Sequence, residues 1–67
     1  MNQYIIRFKT GQYVANCRIG SNYMIYDRTY SPENARRFYK FDSELVLKRL
    51  TTKGEKAERE DAEDDGR

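Results

Sequence analysis

The chain has 67 residues, with 13 Lys and Arg against 11 Asp and Glu. That length allows one small domain and excludes a cofactor domain paired with a substrate domain. Histidine and tryptophan are absent and cysteine occurs once, which removes the commonest acid–base residue, any internal disulfide and any cysteine pair for zinc.

Three strands are predicted first. Tyr4 to Lys9 is rich in β-branched and aromatic residues, with Tyr4, Ile6 and Phe8 on one face. Thr10-Gly11-Gln12 makes a tight connection. Tyr13 to Ile19 repeats the alternation, which places Ala15 and Cys17 on the core face and Arg7, Lys9, Asn16 and Arg18 towards solvent. Gly20-Ser21-Asn22 signals a second turn and Tyr23 to Tyr26 a third strand.

A helical cover follows. Ser31-Pro32-Glu33 reads as a helix start, and Ala35, Phe38 and Tyr39 form a stripe, so a helix is predicted over 32–39. Asp42-Ser43-Glu44 reads as a second start, with a helix over 43–51. The expected core is Tyr4, Ile6, Phe8, Ala15, Cys17, Ile25, Ala35, Phe38, Val46, Leu47 and Leu50. The fold class is α+β: a small three-stranded antiparallel β-meander covered by one or two short C-terminal helices.

Charge divides the chain. Residues 1–53 hold ten basic and four acidic side chains, whereas residues 54–67 hold three basic and seven acidic ones. All nine aromatic residues lie between Tyr4 and Phe41. After Leu50 the only apolar residues are two alanines, so the sequence predicts a basic domain over 1–53 and a disordered acidic tail over 54–67.

The residues that carry chemistry favour binding over catalysis. Cys17 has no histidine to activate it and sits on the predicted core face. Glu33, Asp42 and Glu44 are explained by helix starts, and no glycine-rich phosphate loop is present. Non-enzymatic binding is the expectation, with no cofactor and no metal. The candidate contact residues are Arg7, Arg18, Tyr26, Arg28 and Tyr30, with Arg36 and Arg37 as a second patch. Tyr and Arg are preferred anchors at protein interfaces. Basic residues interleaved with rings also suit single-stranded nucleic acid, which is the alternative reading. A second copy of the chain is a further admissible partner. No apolar run approaches the ~20 residues of a membrane span, and no basic leader with a long apolar stretch is visible. A cytoplasmic protein with no membrane partner is expected.

A resemblance sharpens this expectation. Tyr4-Ile5-Ile6-Arg7-Phe8, Gly11-Gln12-Tyr13-Val14, Thr29 to Phe38 with Ala35-Arg36-Arg37-Phe38, and Asp42-Ser43-Glu44 follow one another in the order strand, G-(K/Q)-Y-V, strand, A-(K/R)-x-F, acidic cap, helix. Over residues 4–50 this resembles the short, mostly uncharacterised early-region proteins of phages and prophages of Gram-positive bacteria. Leu45 stands where such proteins usually carry Ala. The resemblance implies a protein that blocks or modulates a host protein, a defence protein among the candidates, in the host cytoplasm. The basic balance of residues 1–53 argues against mimicry of DNA.

Overall fold

The computed structural model describes residues 2–62. Strand β1 (Tyr4–Phe8) lies between β2 (Tyr13–Ile19) and a C-terminal strand, β4 (Ala57–Asp61), while β3 (Met24–Thr29) flanks β2. The sheet order is β3-β2-β1-β4, and the paired strands are antiparallel. Helix α1 (Lys40–Thr52) packs across one face, against β1 and β4. The α+β class and the antiparallel arrangement agree with the sequence. The strand count and the helical cover need correction.

The β1–β2 turn is a three-residue loop. Gly11 takes φ +98° and donates its N–H to the Phe8 carbonyl at 2.9 Å, while Phe8 N–H reaches Gln12 O at 2.7 Å. Glycine suits this left-handed position because no Cβ opposes it. Beyond Arg7 and Tyr13, which face one another, β1 and β2 part. The chain from Ala35 to Phe38 enters the gap. Phe38 and Tyr4 exchange both backbone hydrogen bonds (2.7 and 2.8 Å), and Arg36 N–H reaches Val14 O at 2.9 Å. The helix expected over 32–39 is therefore absent. A single 3-10 turn at Pro32–Asn34 is all that forms, because the following backbone N–H groups are taken by strand carbonyls. Helix α1 starts at Lys40 and not at Ser43. Ser43 is fully buried inside it, donating to Lys40 O at 2.7 Å and accepting from Arg59 at 3.2 Å.

A bulge in β2 resets the sidedness. The register to β3 shifts between Ala15 and Arg18, with Asn16 at φ +49°. Asparagine tolerates that region better than most residues, and its Nδ2 donates to Asp27 Oδ2 at 3.0 Å. The extra residue inverts the alternation. Val14 and Cys17, three apart, both enter the core.

That core comprises Ile6, Phe8, Val14, Cys17, Phe38, Val46 and Leu50, with Ile19, Met24, Tyr26, Leu47 and Ala57 packed at its edge. Ile5, Ala15 and Ala35 are also buried but lie outside this cluster. Ile5 and Ala15 point to the opposite sheet face, beside the stretch from Pro32 to Arg37, while the part of that face at Arg18 and Ile25 stays exposed. Tyr4 is half-buried. Ile25, an expected core residue, is 61% exposed, because pairing of Ile19 with Met24 turns it outward.

The chain beyond Lys53 also departs from expectation. Gly54, at φ +86°, ends α1 with its N–H on Thr51 O, and Glu55 N–H returns to Leu50 O, both at 2.9 Å. This pair of bonds is the Schellman closure, which reverses the chain. Ala57 to Asp61 then pairs residue by residue with Phe8 to Tyr4. Disorder from residue 54 does not hold over Ala57–Asp61. Residues 63–67 of the expected tail lie outside the described residues.

Candidate functional site

The seven residues singled out in the sequence do not form one patch. Arg28 turns towards the core edge, where its guanidinium pairs with Glu55 at 2.8 Å and lies 4.0 Å over the Phe8 ring. Burial lowers its pKa, but the Glu55 carboxylate and Tyr26 outweigh that and hold it above the ordinary arginine value. Tyr26 is half-buried and stacks on Phe8 with centroids 5.8 Å apart, and Lys53 Nζ sits 5.4 Å from its ring. Arg36 donates to the Cys17 carbonyl and covers Phe38 at 5.1 Å. These three residues hold the fold together.

Arg7 makes a looser pair with Glu60 at 3.7 Å. Arg18, Tyr30 and Arg37 are exposed and make no ion pair or side-chain hydrogen bond among the described residues. Arg7 and Arg18 do share the open sheet face. Arg7 faces Tyr13, however, and Arg18 lies five residues further along β2, or about 16 Å at strand spacing.

Two structural arginines escaped the sequence reading. Arg49 donates to Gly20 O (2.7 Å), Tyr23 O (2.8 Å) and Ser21 O (3.2 Å), which fastens the β2–β3 turn to α1. Its acceptors are main-chain carbonyls, which carry no residue-type signal. Arg59 reaches Ser43 and Glu44 and lies 4.3 Å over the Tyr4 ring. It belongs to the segment read as tail, and so had no assigned role.

Large apolar side chains remain exposed in two zones. On the open sheet face Ile25 stands directly opposite Arg18. Their neighbours Ile19 and Met24 pack on the core, so Arg18 and Ile25 point together to the uncovered side. Tyr23 continues this zone in the turn, and Tyr30, 72% exposed, follows the far end of β3. The second zone is the start of α1, where Tyr39 is exposed and Phe41 is 79% exposed.

Cys17 is buried in the core, and that burial pushes its thiol pKa above the ordinary cysteine value in spite of the nearby positive Arg36. A thiol held protonated is a poor nucleophile. The raised value has a consequence for stability. The folded state holds the proton more tightly than the unfolded chain, so the contribution is complete below the unfolded value and is lost as pH rises past it. Urea melts of the wild type should lose stability above about pH 8.5, where unfolded cysteine ionises. A Cys17→Ala chain should lose less over the same interval. Parallel declines in the two proteins would remove Cys17 as the cause.

Among the described residues no group of three His, Cys, Asp or Glu side chains gathers to hold a metal ion. Among the same residues no helix is long and apolar enough to cross a membrane. No family model, curated protein or solved structure matches the chain.

Proposed function

We propose that the chain is a small non-enzymatic binding protein that acts through protein–protein contacts. By its resemblance to phage early-region proteins, it is a phage-encoded inhibitor or modulator of a host protein, with a defence protein as a candidate target. The observation that carries the binding reading is the Arg18–Ile25 pair. A branched aliphatic chain and a guanidinium stand side by side on the β2–β3 ladder, both exposed among the described residues. Burying that aliphatic surface, with the guanidinium free to hydrogen-bond at its margin, is the ordinary chemistry of an interface anchor.

The cations weigh against nucleic acid as the main partner. Arg7, Arg28 and Arg59 are each matched to a carboxylate, which leaves less positive charge for phosphates than the composition suggests.

The test is an Arg18→Glu/Ile25→Lys double variant, which places opposite charges across the ladder and so spares the fold. The partner captured from a Gram-positive host lysate should bind the variant about thirtyfold or more weakly, with the melting temperature kept within a few degrees. Undiminished binding would place the interface elsewhere. Steeply salt-dependent binding of a generic single strand, abolished in the same variant, would replace this reading with the nucleic-acid one.

A further inference from the structure

Helix α1 is apolar on more than its buried side. Val46 and Leu50 face the core. On the opposite side Phe41, Leu45, Lys48 and Thr52 recur at helical spacing and form an outward ridge. Phe41 is the most exposed large hydrophobic residue among those described, and Leu45 is half-exposed in a groove of ≈ 310 Å³ shared with Ile19, Arg36 and Asp42. A solvent-facing ridge normally carries polar residues at such positions.

We infer that this ridge is the contact between two copies of the chain, packed with their α1 helices antiparallel about a two-fold axis near Leu45. The charge order along the helix selects that partner. Acidic Asp42 and Glu44 precede Leu45, and basic Lys48 and Arg49 follow it. Reversing a second helix against the first brings Asp42 of one copy to the Arg49 level of the other, on the same flank. Glu44, 53% exposed and held only loosely by Arg59 at 3.5 Å, meets the Lys48 level on the other flank. A two-fold contact requires such a self-complementary pattern, and antiparallel packing also opposes the two helix dipoles favourably. Arg49 keeps its charge for this contact, since its hydrogen bonds go to neutral carbonyls. Leu45 meets its own mate near the axis, and Phe41 lies on the stems of Lys48 and Thr52. The helix has 13 residues and is about 20 Å long, so the contact is small and the dimer forms at high protein concentration.

The ridge lies across the sheet from the Arg18–Ile25 pair, and so this inference stands apart from the binding reading. Sedimentation equilibrium of the full chain, from about 10 μM to about 1 mM, should show the mass rising from 8.0 kDa towards twice that value. Phe41→Asp and Lys48→Glu, both at exposed positions, should each weaken association about tenfold or more with an unchanged melt. The register is tested by oxidative cross-linking. Leu45→Cys should form a disulfide-linked dimer. Thr52→Cys should not, since its mate is about 21 Å away along the helix direction at 1.5 Å per residue. A monomer at every concentration overturns the inference. Association unaffected by both ridge variants, or Thr52→Cys linking as readily as Leu45→Cys, also overturns it. None of these results bears on whether a host partner needs Arg18 and Ile25.

Discussion

A chain ending at Lys53 should fail to melt cooperatively, whereas one ending at Ala62 should melt like the full protein. The truncation removes β4, which pairs with β1 along its whole length. It also removes Glu55, the partner of Arg28, and Lys56 O, which accepts from Lys9 N–H at 2.9 Å. Ala57 leaves the edge of the core, and Arg59 leaves the Tyr4 ring and the buried Ser43 hydroxyl. The Gly54 and Glu55 N–H groups that close α1 are lost as well. A core in a domain this small rarely supplies more than about 3–5 kcal/mol. Losing a strand, an ion pair and a helix closure together exceeds that margin. Thermal circular dichroism of the two chains decides the matter: a Lys53-terminated protein within a few degrees of full length would mean that β4 contributes nothing to stability.

This expectation reverses what composition suggested, and the reason lies in the strand itself. Ala57-Glu58-Arg59-Glu60-Asp61 has no hydrophobic pattern because an edge strand needs little of one. Its backbone completes the free edge of β1, and only Ala57 packs on the core. Charged edges also discourage pairing with other chains. One cue was legible: a glycine four residues after Leu50, at the C′ position that turns a helix back. The alternating stretches were more explicit. Ile6, Phe8 and Cys17 were placed inside by alternation, and Val46 and Leu50 by helical spacing, and all five are buried. Val14 escaped because a bulge at Asn16 is a register event that alternation cannot reveal, and Ile25 was misplaced because the β2–β3 turn pairs Ile19 with Met24.

The candidate contact residues divide into bonded and exposed ones for a related reason. Arg28 and Arg36 looked like surface cations, but their partners are 27 and 19 residues away in sequence. Nothing local distinguishes a guanidinium that faces solvent from one already holding a distant carboxylate or carbonyl. Arg18 is different. Its exposure follows from strand parity, which the sequence shows, and the apolar neighbour opposite it emerges only with the β2–β3 register.

Phe38→Ala should abolish the fold or come close to it, while Phe41→Ala should leave monomer stability nearly unchanged. The two phenylalanines are three residues apart and chemically identical. Phe38 is 2% exposed, Phe41 79%. Phe38 belongs to the central cluster, lies under the Arg36 guanidinium and sits on the backbone segment that bonds to Tyr4 in the gap between β1 and β2. Removing its ring leaves a cavity at the point where β1, β2 and α1 converge. Truncating a buried phenylalanine costs about 3–5 kcal/mol, which matches nearly all the stability expected of a chain this size. Exposed substitutions usually stay within about 0.5 kcal/mol. Urea melts at low protein concentration, where self-association does not contribute, separate the two. A Phe38→Ala protein that loses less than about 1 kcal/mol would show that the inserted segment is held by its backbone bonds alone, since a buried ring should cost far more.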